Sequence, residues 1–71
     1  DYLSGDLPAL TDREMKVARL VAEGLTNREI SRRLYISVNT VKASLKAIYA
    51  KRSIHNRMHL KEYIDRLSGE A

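Results

Sequence analysis

The segment spanning residues 26–46 constrains the fold most, because it holds two helix starts only eleven residues apart. Thr26 and Glu29 have the spacing of a capping box, in which each side chain accepts a hydrogen bond from the other residue's backbone N–H. Ser37 is the second N-cap candidate, and Thr40 stands three residues after it. A turn of about three residues is all that fits between the two helices, which is the geometry of a helix-turn-helix.

Similar signals bound the other helices. Thr11 and Glu14 repeat the capping-box spacing, and Gly24 is suited to the left-handed residue that ends a helix. Asn56 is a candidate N-cap for the last helix. These signals predict helices at about 12–23, 27–34, 38–52 and 57–67. No strand pattern is present, so we expect an all-α fold: one compact four-helix domain containing a helix-turn-helix.

Apolar residues at helical spacing predict the core. The predicted stripes are Val17, Leu20 and Val21; Ile30 and Leu34; Val41, Leu45 and Ile48; and Leu60, Tyr63, Ile64 and Leu67. Ile54 is expected to fill the core between the last two helices. We also expect Tyr35 and Tyr49 to be packing residues with a polar tip.

The third helix carries a second face, opposite its apolar stripe. On a wheel of 100° per residue this outward face comprises Asn39, Lys42, Ala43, Lys46 and Ala50. Charge is concentrated in the same part of the chain: residues 28–52 contain seven Lys or Arg and a single acidic residue, whereas residues 1–27 are net negative and residues 53–71 are neutral. That focus of positive charge is typical of a surface that binds a polyanion.

Other classes of protein are disfavoured. The chain has no cysteine. His55 and His59 lack an evident third ligand, so we expect no metal site and no cofactor. An enzyme is not expected, because no nucleophile–base pair or paired carboxylates are apparent. No apolar run approaches the ~20 residues of a membrane span, and no signal-peptide pattern is present, so we expect a cytoplasmic domain. Because the chain starts at Asp1 without Met, we expect a piece of a longer protein or a processed one.

Three separate blocks resemble the LuxR/FixJ-type helix-turn-helix of bacterial transcription regulators. Residues 10–14 resemble its L-T-x-R-E, residues 24–30 its G-x-[ST]-N-[KR]-E-I, and residues 34–42 its L-x-I-S-x-x-T-V-K. Later positions of the pattern are matched by Ile48, Lys51 and Arg57. Departures from the common pattern are Ala18, Ser31, Ser44 and Arg52, the last standing where a core Leu is frequent. These departures leave the packing of the third helix on the fourth open.

The resemblance implies a DNA-binding output domain at residues 10–69, preceded by an interdomain linker that ends in residues 1–9. An N-terminal receiver or ligand-binding domain would precede the linker in the full-length regulator. The resemblance also implies a homodimer on double-stranded DNA, with the fourth helix of each subunit at the interface, and RNA polymerase as a possible partner. The residues assigned to the dimer interface are Met58, Lys61 and Tyr63.

DNA binding needs base contacts for specificity and phosphate contacts for position. The candidate base contacts are Asn39, Lys42, Ala43 and Lys46, because lysine donates to guanine and alanine packs against the thymine methyl. The candidate phosphate contacts are Asn27, Arg28, Thr40, Lys51 and Arg57. Simpler roles stay open: Thr40 as a helix cap, Lys51 as a partner of the helix dipole, and Tyr63 as a core residue.

Two rival interpretations share much of this pattern. Region four of a bacterial sigma factor has a similar four-helix layout and would also bind core polymerase, although Gly24, Thr26 and Asn27 favour the LuxR-type interpretation. A helix-turn-helix that serves only as a protein-interaction module is the second rival. The lysines on the outward face of the third helix argue against that module.

Overall fold

The computed structural model describes residues 9–67 and residue 69, and within them the chain forms four helices and no strand. The helices are α1 (Asp12–Ala22), α2 (Asn27–Leu34), α3 (Val38–Arg52) and α4 (Arg57–Leu67). The all-α, four-helix fold is therefore confirmed. The bounds of α2, α3 and α4 match the prediction, whereas α1 ends one residue early because Glu23 is its C-cap. The predicted tail, except Ala9, lies outside the described residues.

Both predicted capping boxes are present. The Thr11 hydroxyl accepts from the backbone N–H of Glu14 at 3.1 Å, and the Glu14 carboxylate accepts from the N–H of Thr11 at 2.9 Å. Thr26 and Glu29 form the same pair of bonds, at 3.2 and 2.8 Å. Each box satisfies two backbone donors that a helix start leaves without a partner. Local sequence alone thus fixes where α1 and α2 begin.

The other ends follow their predicted signals as well. Gly24 adopts φ +96° directly after the C-cap of α1, a conformation that glycine adopts without strain. The side chain of Asn56 accepts from the backbone N–H of His59 at 2.8 Å, which caps the start of α4. The end of α1 and the start of α4 are therefore also set by residues next to them in the chain.

The core lies around α1, which packs against both α3 and α4, while α2 packs against α3. Its buried members are Val17, Ala18, Leu20, Val21, Ile30, Val41, Leu45, Ile48, Ile54, Leu60 and Ile64. Ile54, in the connection from α3 to α4, is buried in the core, as expected. Since α3 turns one side to α1 and α2, its opposite side is left outside the core.

Two apolar expectations are wrong. Tyr35 is 95% exposed, because it is the C-cap of α2 in the left-handed conformation (φ 58°), and the neighbouring Ile36 packs against the core in its place. Leu67 is 55% exposed, because it is the last residue of α4 and lies beyond the buried pair formed by Leu60 and Ile64. The predicted apolar stripe of α4 was therefore one position too long, whereas Tyr35 was misjudged from its residue type.

Tyr35→Gly is expected to leave the melting temperature unchanged or to raise it. The left-handed conformation costs a side-chain-bearing residue about 1–2 kcal/mol, and glycine loses roughly 0.5–1 kcal/mol more backbone entropy on folding. Ser53 is the C-cap of α3 with φ 53°, so Ser53→Gly should behave alike. Ala50 is exposed and lies within α3, so Ala50→Gly should instead lower the free energy of unfolding by about 1 kcal/mol. If thermal unfolding showed that Tyr35→Gly lowers the melting temperature as much as Ala50→Gly does, the exposed tyrosine ring would have to stabilise the fold.

Candidate nucleic-acid interface

The turn between α2 and α3 is tight and hydrogen-bonded. α2 ends at Leu34 and α3 begins at Val38, as the predicted helix-turn-helix requires. The backbone N–H of Ile36 donates to the carbonyl of Ser31 at 3.0 Å, and the Ser37 hydroxyl accepts from the N–H of Thr40 at 3.0 Å. These bonds fix the angle at which α3 leaves α2.

α3 separates into two faces along its length. Val41, Leu45 and Ile48 are buried. The predicted outward residues are all exposed; we call them the cationic face, comprising Asn39, Lys42, Ala43, Lys46 and Ala50. Neither of its lysines takes part in an ion pair with another described residue.

The cationic face combines small side chains with cationic ones. The major groove is about 12 Å wide and admits one α-helix. Ala43 and Ala50 keep the face low between the longer side chains, so the backbone of α3 can approach a groove floor. Lys42 and Lys46 lie one helical turn apart and project from the same side. This arrangement can present two cationic donors to successive base edges.

The start of α2 carries a second group of donors. Arg28 is exposed, and Asn27 is half-buried. The Oδ1 atom of Asn27 accepts from Nη1 of Arg57 at 2.7 Å, and Nη2 of the same guanidinium donates to the carbonyl of Leu25 at 2.8 Å. Sequence reasoning missed this contact, because Asn27 and Arg57 are thirty positions apart and carry no shared local signal.

Lys51 has a structural role that the sequence also failed to indicate. Its Nζ lies 2.7 Å from Oε1 of Glu14 and also donates to the carbonyl of Ala9 at 3.3 Å. The hydrogen bond from Lys51, followed by that from the Thr11 N–H, holds the pKa of the Glu14 carboxyl below its usual value, against the opposing effect of burial. The end of α3 is thereby tied to the start of α1. Direct phosphate contact by Lys51 stays a prediction.

The sequence profile described as "Bacterial regulatory proteins, luxR family" matches residues 8–64. This chain belongs to the luxR family. The luxR-family domain is therefore the helix-turn-helix of a transcriptional regulator, and the sigma-factor interpretation is not retained.

Relatives of the luxR-family domain are named as transcriptional regulators. It is 44% identical over 52 residues to a nitrate/nitrite response regulator protein homolog of Haemophilus influenzae, covering 73% of this chain and 25% of that protein. It is 46% identical over 56 residues to the monoamine regulon transcriptional regulator of Klebsiella aerogenes, covering 78% and 25%. It is 38% identical over 58 residues to the transcriptional regulatory protein LiaR of Bacillus subtilis, covering 82% and 28%. The chain thus spans about a quarter of the length of these relatives.

The predicted dimer residues of the luxR-family domain lie on different sides of α4. Met58 is 67% exposed, and Lys61 forms an exposed ion pair with Asp65 at 3.0 Å. Tyr63 is half-buried against the core, and its hydroxyl accepts from Nε of Arg52 at 2.9 Å. That bond joins α3 to α4 at the position where the family pattern commonly has Leu. Tyr63 therefore contributes to packing, and the dimer contacts stay predictions.

Two departures in the luxR-family domain lie outside the cationic face. Ser31 is buried, and its hydroxyl donates to the carbonyl of Arg28 at 2.7 Å, so the polar group has a partner within α2. Ser44 is half-buried on α3, beside the inward stripe. Neither change disturbs the cationic face.

Two further features of the luxR-family domain concern metal binding and membrane insertion. The rings of His55 and His59 lie 6.0 Å apart between centroids. Among residues 9–67 and 69, no group of three or more His, Cys, Asp or Glu is placed to hold a metal ion. The same residues include no helix with the length and hydropathy to traverse a bilayer.

Proposed function

We propose that this luxR-family domain binds double-stranded DNA sequence-specifically, with α3 in the major groove. The observation that carries the proposal is the cationic face, which has no part in the core and no ion-pair partner for its lysines among the described residues. A helix of 15 residues is about 22 Å long, enough to cross a groove and contact several base pairs.

Each part of the surface has an assigned role. Lys42 and Lys46 donate to base edges, Asn39 contacts a base or phosphate at the groove entrance, and Ala43 packs against a thymine methyl. Asn27, Arg28 and Thr40, at the N-termini of α2 and α3, bind phosphates of the DNA backbone. Lys51 lies at the other end of α3 and stays a candidate phosphate contact, although it already pairs with Glu14. Arg57 is already bonded to Asn27.

The proposed assembly is a homodimer on DNA, formed through the exposed part of α4 around Met58 and Lys61. A symmetric dimer predicts two half-sites related by inversion. Because the chain spans about a quarter of its relatives, one of which is named a response regulator, we further propose a preceding receiver or ligand-binding domain. A cytoplasmic location and contact with RNA polymerase fit such a regulator.

The proposal is tested by titrating this chain with random duplex DNA at two salt concentrations, followed by selection of sites from a randomised pool. A dimer that neutralises about six phosphates should lose roughly 10³-fold in affinity between 50 and 200 mM salt. Selection should enrich an inverted repeat. Salt-sensitive binding without enrichment would contradict sequence-specific recognition, and no binding at low salt would favour the protein-interaction module.

A further inference from the structure

We propose that Arg57 is a positioning residue for DNA binding, which acts by orienting Asn27 and does not itself neutralise a phosphate. The inference rests on the proposed function. It departs from the sequence-based assignment of Arg57 as a phosphate contact. The observation that carries it is the two-pronged contact of the guanidinium, to Oδ1 of Asn27 at 2.7 Å and to the carbonyl of Leu25 at 2.8 Å.

The contact fixes which way the Asn27 amide points. A guanidinium has five N–H donors and no acceptor, so the atom of Asn27 that receives its hydrogen bond must be the oxygen. The amide NH₂ then lies on the other side of the carboxamide, away from Arg57. The structure thereby sets the orientation of a side chain that is otherwise ambiguous between two flips.

The position of Asn27 makes that orientation useful. Asn27 is the first residue of α2, and Thr26 is its N-cap. The Glu29 N–H is taken by the Thr26 hydroxyl, but the N–H groups of Asn27 and Arg28 have no intrahelical partner and favour an anion. An amide NH₂ directed away from Arg57 adds a side-chain donor to those backbone donors. A phosphate held there would be bound from two sources at once.

The second prong fixes the start of α2 itself. Leu25 and Asn27 flank the N-cap, so a single planar guanidinium spans the turn that leads into α2. Arg57 is the first residue of α4, and the contact therefore ties the start of α4 to the start of α2. Lysine carries the same charge but cannot reproduce this planar fork, because its ammonium is a point donor.

That difference between arginine and lysine separates the two roles. A residue that only neutralises a phosphate tolerates replacement by lysine, which also binds phosphate as a point charge. A residue that orients an amide through a fork does not. Arg28 supplies the matched control, because it follows Asn27 in α2, is exposed, and is assigned to direct phosphate contact.

The test uses the 71-residue chain and its selected duplex, with affinity measured over a range of salt concentrations. Arg28→Lys should keep nearly the wild-type affinity. Arg57→Lys should lose roughly tenfold, the effect of losing one hydrogen bond between a charged and a neutral group, with the salt slope unchanged. Adding Asn27→Ala to Arg57→Lys should produce little further loss, because both changes remove the same donor.

Asn27→Ala alone removes the NH₂ donor without placing a negative charge beside the phosphate, and alanine is a good helix former. It should fold, by its melting temperature, and should lose DNA affinity even if Arg57→Lys were to unfold the domain. Wild-type affinity in Arg57→Lys or in Asn27→Ala would overturn the positioning role. Failure of the wild-type chain to bind any duplex would instead refute the proposed function.

Discussion

Glu14→Gln is expected to destabilise the domain by about 2 kcal/mol at neutral pH, the loss of a charge-assisted hydrogen bond in a partly buried site. The Glu14 carboxylate accepts from Thr11 and lies 2.7 Å from the ammonium of Lys51, with side-chain exposures of 11% and 24% for the pair. Glutamine keeps an oxygen for the N–H of Thr11, so the capping bond survives. The Lys51 charge, however, is left without its counter-ion.

The effect of this substitution depends on pH in a defined direction. The folded pKa of Glu14 lies below its ordinary value of 4.5, so the unfolded chain binds the proton more readily than the folded domain. The stability due to the carboxylate is therefore fully present above pH 4.5 and is lost as the pH falls through the folded pKa. The difference in free energy of unfolding between wild type and Glu14→Gln should accordingly shrink on acidification.

Chemical denaturation at several pH values measures this difference, with the exposed Lys61–Asp65 pair as the matched control. Its two side chains are 50% and 49% exposed, and both lie on α4. Asp65→Asn should change the unfolding free energy by less than about 1 kcal/mol, because water screens an exposed pair. If Glu14→Gln cost no more than Asp65→Asn, or if its cost grew as the pH fell, the Glu14–Lys51 pair would not stabilise the domain.

The signals that the sequence carries within one helical turn predicted the architecture well. Thr11, Thr26 and Ser37 each cap a helix through the N–H three residues later, so the residues that decide a helix start are adjacent in the chain. The two faces of α3 follow from helical periodicity in the same way. These features depend on local geometry, and local geometry is what a sequence pattern records.

The contacts that join helices could not be predicted from such patterns. Lys51 meets Glu14 across 37 positions, and Arg57 meets Asn27 across 30. The first pair depends on how α1 packs against α3, and the second on how the start of α2 lies relative to the start of α4; no spacing rule encodes either. The prediction for Tyr35 fails for another reason: the residue is the left-handed C-cap of α2 and its side chain is exposed, although tyrosine rings often pack with only the hydroxyl in water.

Lys46→Ala is expected to weaken binding to the selected DNA site by roughly 1–3 kcal/mol and to relax discrimination at one base position. Lys42 and Lys46 project from the cationic face one turn apart, with Cβ atoms about 5–6 Å from each other. Base pairs are stacked about 3.4 Å apart, so in the proposed complex the two ammonium groups would reach different base pairs. Loss of one lysine should therefore blur one position of the site and leave the others intact.

Arg28→Ala provides the contrast, because its assigned partner is a phosphate. It should weaken binding to all sequences about equally and lower the salt slope by about one unit per contact. The two variants remove one positive charge each, so a purely electrostatic role for Lys46 would make them indistinguishable. Site selection with each variant separates the cases, since only a base contact changes which sequences are enriched. An unchanged affinity and preference in Lys46→Ala would mean that α3 does not enter the groove through its cationic face.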